Sequence, residues 1–165
     1  MNIEPITLND INETIEVIRE SFEVLVAPTW SESGIKTFLE DDLSPIKIHD
    51  FVANGNICLK YTKSDLICGV LLFSSLRKLA HLFVLPKYQR CGIAKTLFQE
   101  AKYRMVDDAE IDYIEITSSE YAISAYQKLG FKKSARAFIY NGCQFQPMVY
   151  WLGTDRIADD VEFVS

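Results

Sequence analysis

Apolar residues at Ile11, Ile15, Ile18 and Phe22 repeat with the helical period and predict an amphipathic helix, with Asn9 or Asp10 as its N-cap. A second, shorter helix is predicted over 33–40, between Pro28 and Pro45. The pattern then changes to short apolar runs at 57–62, 66–73 and 79–85, read as strands. The first two are separated only by the turn-like Lys63, Ser64 and Asp65, which favours antiparallel hairpins. After Pro86 the helical period returns, with Ile93, Leu97, Ala101 and Met105 four apart on one stripe. Residues 112–117 form the next predicted strand, and a strand, helix and strand in succession make a right-handed crossover with parallel strands. A last helix is predicted over 119–129, with Ala122, Ala125, Tyr126 and Leu129 on one face. Gly130 ends it, and Phe131 folds back as the apolar partner of that cap. Two terminal strands, 131–140 and 145–152, flank the turn dipeptide Asn141-Gly142. The expected fold is α/β, with a mixed, mostly antiparallel sheet, a central parallel pair and helices on both faces.

Composition narrows the class. The chain has 165 residues, 48% hydrophobic and 24% charged, without repeats or a Pro/Gly/Ser-rich linker, so residues 1–153 read as one domain and 154–165 as an acidic tail. A net charge of -6 disfavours a nucleic-acid partner, whose binding relies on Lys and Arg. The N-terminus has no signal-peptide pattern and no apolar run is long enough to span a bilayer, so a cytoplasmic protein without a membrane partner is expected. Cys58, Cys68, Cys91 and Cys143 form no metal-ligand spacing, and no metal is expected.

One helix start lacks its usual cap. Cys91, Gly92, Ile93 and Ala94 offer no side-chain oxygen to the unpaired N–H groups. Small residues there serve either close packing of helix on strand or the approach of an anion to backbone amides and the positive end of the helix dipole. Neither GxxxxGK[ST] nor GxGxxG is present, which disfavours a nucleoside triphosphatase and a dinucleotide dehydrogenase.

The segment LFVLPKYQRCGIAKTLF resembles the acetyl-CoA motif of the GNAT superfamily of N-acetyltransferases: Val-x-Pro, a short turn, then Gln/Arg-x-x-Gly-x-Gly/Ala opening a helix. Val84, Pro86, Gln89, Gly92 and Ala94 carry the match. Downstream, SEYAISAYQKLGFKK resembles a second signature through Ala122, Tyr126, Leu129, Gly130 and Phe131, and NGCQFQPMVYWL resembles the closing Gly-x-x-x-x-Pro-Met hairpin. The resemblance spans roughly residues 1 to 152. It implies that acetyl-CoA lies where the parallel pair splays. Its pantetheine would meet the backbone of Leu82, Phe83 and Val84, and its pyrophosphate would meet Gln89, Arg90, Cys91, Gly92, Ile93, Ala94 and Lys95. Ser119 stands where many members carry a cofactor-bonding Asn, and has less reach.

The implied reaction is direct attack of a primary amine on the thioester. Tyr126, whose phenol has a reference pKa near ~10, is the expected proton donor to the thiolate. For the base, His81, Glu115 and Glu32 are candidates beside deprotonation through water. The acceptor, a small-molecule amine or a peptide or protein amine, is expected between residues 22–42 and 140–151. Trp30, Phe38, Tyr140, Phe145 and Tyr150 would wall it, and Glu32, Glu40, Asp41 and Asp42 would attract an ammonium. The competing reading is a non-catalytic acyl-CoA-binding or regulatory module. A homodimer is compatible with either.

Overall fold

A computed structural model describes residues 2–153 apart from 107 and 109; the expected acidic tail at 154–165 lies outside the described residues. The N-terminal part contributes β1 (Ile3–Pro5) and three helices, α1 (Ile11–Leu25), α2 (Glu32–Thr37) and α3 (Pro45–Ala53). The α1 stripe is buried as its period predicts: Ile18 and Phe22 are fully inaccessible. Asp10 sits at the expected boundary but does not cap α1. Its carboxylate instead accepts the Thr7 N–H at 2.7 Å and the Lys60 ammonium at 2.9 Å.

The second predicted helix is α2, capped by Ser31 through the Gly34 N–H at 3.1 Å and continued by a π-helical turn, Phe38–Asp42. The sequence reading missed α3. Its signals were present, because Ser44 caps it and Pro45 opens it, but only Ile48 on it is fully buried, so its apolar stripe is weak.

Two four-stranded sheets follow. The first runs β1, β2 (Cys58–Lys63), β3 (Leu66–Phe73) and β4 (Leu79–Val84), all antiparallel. After β4 the chain forms α4 (Ile93–Met105), β5 (Tyr113–Ser119) and α5 (Ile123–Leu129), then β6 (Lys132–Lys133), β7 (Phe138–Tyr140) and β8 (Cys143–Trp151). In the second sheet β8 pairs with β5, β6 and β7, also antiparallel. The strand expected over 131–140 is thus two short pieces on one partner. Asn141 and Gly142, at φ 50° and 74°, make the tight turn between β7 and β8.

The predicted parallel pair is present as the seam between the sheets. Strands β4 and β5 join at a single parallel bridge, Lys78 to Glu115, where the Glu115 N–H donates to the Arg77 carbonyl at 2.9 Å. Beyond that bridge they have no ladder, and the sheets part toward the strands' C-terminal ends. A second irregularity shapes the seam: Leu72 pairs with His81 and Phe73 with Leu79, so Ala80 is an extra residue, a bulge that bends β4.

Each face of the seam has its own core. Helix α4 packs Ile93, Leu97, Phe98 and Ala101 with Ile114, Ile116 and Met148. Helices α1 and α3 pack on the other face, against Val70 and Leu72. Close seating of α4 depends on Gly69, where an added Cβ would lie 2.8 Å from Ile93 Cγ2 and 3.3 Å from Leu97 Cδ1.

Candidate active site

The parting of the sheets opens one cleft of about 810 Å³, lined from Trp30 and Phe38 at one end to Gly92 and Lys95 at the other. Its wall along β4 is backbone. The Leu85 N–H donates to the Cys68 carbonyl at 2.8 Å, and Val84 lies opposite Gly69. Antiparallel ladders alternate, so the N–H and C=O groups of Val84 and Leu82 turn away from β3 and toward the gap. Gln89 confirms that direction, because its Nε2 donates to the Val84 carbonyl at 3.2 Å. By the same alternation the Phe83 backbone is committed to β3, and only its side chain faces the cleft. This corrects the expectation that three consecutive residues present their backbone.

Next to that wall, the chain turns through two left-handed residues, Arg90 at φ 60° and Gly92 at φ 78°, and enters α4. Gly92 is the N-cap and no side chain caps the helix. The first helical bond runs from the Thr96 N–H to the Gly92 carbonyl at 3.0 Å, so the amides of Ile93, Ala94 and Lys95 precede the ladder. Gly92, Ile93, Ala94 and Lys95 all line the cleft, so the space before those amides is open. Donors, dipole and room together suit a diphosphate. Arg90, Lys95 and Lys128 line the same end, while Cys91 is exposed and stands outside the lining.

Helix α5 forms the opposite wall. Tyr126 lines the cleft, half-buried, its ring edge-on to Phe131 at 5.4 Å, and burial pushes its phenol well above the usual range. It therefore stays protonated in any ordinary buffer. Gly130, at φ 105°, ends this helix as predicted, and the Phe131 N–H closes the turn on the Tyr126 carbonyl at 3.0 Å. Ser119 lines the cleft at the helix start.

The far end is aromatic. Phe38 stacks on Phe22 at 4.0 Å, and Trp30 meets Phe145 edge-on at 5.3 Å. His81 reaches into this chamber from β4, between Phe38, Phe51 and Phe83. Burial pushes its imidazole down to about 4; a hydrogen bond to the Asp42 backbone opposes the shift and the Lys47 ammonium adds to it. Its Nδ1 finds no hydrogen-bond partner among the described residues.

A family description, the acetyltransferase (GNAT) domain, matches residues 26–152. The chain belongs to the GNAT acetyltransferase family. Acetyl-CoA is the cofactor of that family, and the uncapped α4 amides fit its diphosphate. Solved GNAT structures share the fold. The PaiA N-acetyltransferase of Thermoplasma acidophilum, in complex with coenzyme A, is 22% identical with a TM-score of 0.75, covering 90% of this chain and 97% of its own. A GCN5-related N-acetyltransferase of Rhodopseudomonas palustris is 18% identical with a TM-score of 0.76, covering 90% and 94%. A GNAT acetyltransferase of Staphylococcus aureus is 20% identical with a TM-score of 0.67, covering 92% and 98%.

Several expected residues lie elsewhere in this GNAT fold. Glu115 is exposed on β5 and does not line the cleft, nor do Glu32, Glu40 and Asp41. Tyr140 is 59% exposed and outside the wall. Tyr150 points to the opposite face of β8, meeting Phe98 edge-on at 5.2 Å and accepting from Lys102 Nζ at 2.8 Å. Of the expected acidic cluster only Asp42 reaches the cleft, and Lys47 faces it at 3.4 Å. Sequence reasoning missed Lys47 and Phe51, which required α3, and Lys78 and Thr117, which require the bridge between the sheets.

Proposed function

We propose that the chain transfers an acetyl group from acetyl-CoA to a primary amine by direct attack in this cleft. The observation that carries this reading is continuity: one cavity is lined by the α4 N-terminus, Leu82 and Val84, Tyr126 and His81. Bound acetyl-CoA would supply a thioester, whose carbonyl is the electrophile. The amides of Ile93, Ala94 and Lys95 would hold its diphosphate, with Arg90 and Lys95 adding charge. The outward N–H groups of Leu82 and Val84 would donate to acyl or pantetheine oxygens. Tyr126, kept neutral by burial, would hold the proton that the leaving sulfur takes.

Magnitudes decide the role of His81. An alkylammonium titrates near ~10.4, so passing its proton to an imidazole at about 4 is uphill by roughly 8 to 9 kcal/mol. We therefore read His81 as part of the wall of the acceptor chamber rather than as the base, and the proton leaves through water. The cytoplasmic setting expected from the sequence belongs to the same proposal.

Release of coenzyme A thiol, followed with a chromogenic disulfide across a panel of amines, tests it. Amine-dependent release supports an enzyme. Calorimetric binding of coenzyme A without release for any amine would favour the non-catalytic module instead.

A further inference from the structure

The acceptor end of the cleft carries charge opposite to that of the chain. The whole protein has a formal net charge of -6, yet the charged side chains lining this end are Asp42, Lys47 and Lys78. Asp42 and Lys47 face each other at 3.4 Å. That leaves Lys78 in surplus, since no carboxylate among the described residues pairs with it. Glu115, its neighbour across the bridge, is exposed and directed out of the cleft lining.

Lys78 is also held in place. Its carbonyl accepts the Ser74 N–H at 2.9 Å, its backbone forms the bridge that joins the sheets, and its Nζ donates to Thr117 Oγ1 at 3.0 Å. Lys78, Thr117 and Ser74 all line the cleft at the closed end of the seam. An ammonium has more donors than the one Thr117 takes, and the Thr117 hydroxyl, already accepting, keeps its own proton for another acceptor. The chamber thus offers a position that suits an anion. A cationic amine without an anionic group would meet an uncompensated like charge at Lys78.

We propose that the acceptor carries an anionic group, a carboxylate or a phosphate, beside its amine, and that Lys78 with Thr117 forms the subsite for that anion. The inference rests on the acetyl-transfer reading above and names its substrate class. The Lys78–Thr117 contact is solvent-exposed, and an ion pair in that setting corresponds to about a two- to fivefold preference.

The experiment measures thiol release with the twenty amino acids, β-alanine and γ-aminobutyrate, each beside its primary amide, and with O-phosphoethanolamine beside ethanolamine. At least one acid should exceed its uncharged partner about two- to fivefold in kcat/KM, and the two sets separate carboxylate from phosphate. In Lys78→Met that preference should disappear through a higher KM for the acid, Lys78→Arg should restore part of it, and Lys78→Glu should reverse it. Calorimetric affinity for acetyl-CoA, unchanged in these variants, reports that the fold is intact. Equal rates for every pair, or a Lys78→Met variant that keeps the preference, would overturn the inference. If no amine supports release, the same pairs are titrated into the coenzyme A-loaded protein: binding of an acid that is lost in Lys78→Met keeps the subsite while transfer fails. Absence of such binding overturns both.

Discussion

Gly92 and Gly55 make a matched pair on which the cofactor reading can be tested. Both are left-handed, at φ 78° and 73°, and at both an added Cβ would meet nothing within 4 Å. Gly92 opens α4 at the cleft, whereas Gly55 closes the turn after α3, its N–H on the Val52 carbonyl at 3.1 Å, and is no part of the cleft lining. Replacing either by Ala forces an L-residue into the left-handed region, at about 1–2 kcal/mol. The stiffer unfolded chain returns about 0.4–1 kcal/mol. Each variant should therefore lose about 1 kcal/mol, a fall in Tm of about 2–4 °C for a chain of this size. Cofactor binding should separate them. Gly92 lines the cleft beside Ile93, Ala94 and Lys95, and a methyl group that displaces the diphosphate from one of their amides loses a charge-assisted bond, at a cost of about 1.5–3 kcal/mol. Gly92→Ala should therefore weaken coenzyme A by about ten- to a hundredfold, while Gly55→Ala should bind it like the parent. Thermal melts and calorimetry measure both quantities. Parent-like affinity in Gly92→Ala, with the expected loss of Tm, would refute the assignment of the diphosphate to these amides.

Three further outcomes follow from the same geometry. Tyr126→Phe should lower kcat about a hundredfold, the low end of general-acid effects, because a thiolate is a good leaving group, and stopped-flow thiol release should find coenzyme A affinity nearly unchanged. Leu97→Ala, at a fully inaccessible site between α4 and β3, should cost about 2–5 kcal/mol in urea unfolding. His81 binds fewer protons folded than unfolded between pH about 4 and 6.5, so its contribution is complete above 6.5 and is lost as pH falls to 4, about 3 kcal/mol in all; His81→Gln should flatten that limb of the stability-against-pH curve.

What could be read from the chain, and what could not, divides along the cleft. Its cofactor half is built from stretches contiguous in sequence, from β4 through the opening of α4 and from β5 through α5 to Gly130. There the proposed contacts are to backbone amides, so smallness and spacing at Gln89, Gly92 and Ala94 carry them directly. The acceptor half gathers Trp30, the π-helical turn, α3, β4 and β8, and each contributes residues that look like ordinary core in their own segment. Strand alternation held one unused signal. Met148 and Tyr150 share the buried face of β8, so the odd-numbered Phe145 had to face the other way, toward Trp30. Period two alone separates the two aromatics that were expected on one wall. The charges held none. The run Glu40, Asp41, Asp42 looks like an ammonium trap, but the π-helical turn leaves the first two in solvent, and α3 brings Lys47 against the third. What distinguishes the acceptor end is therefore which charges stay unmatched once the segments meet, with Lys78 a cation whose partner is a hydroxyl and not a carboxylate. An unmatched group is defined by the absence of a neighbour. Residue spacing encodes the neighbours a segment brings with it, and the gap left between segments emerges only from their assembly.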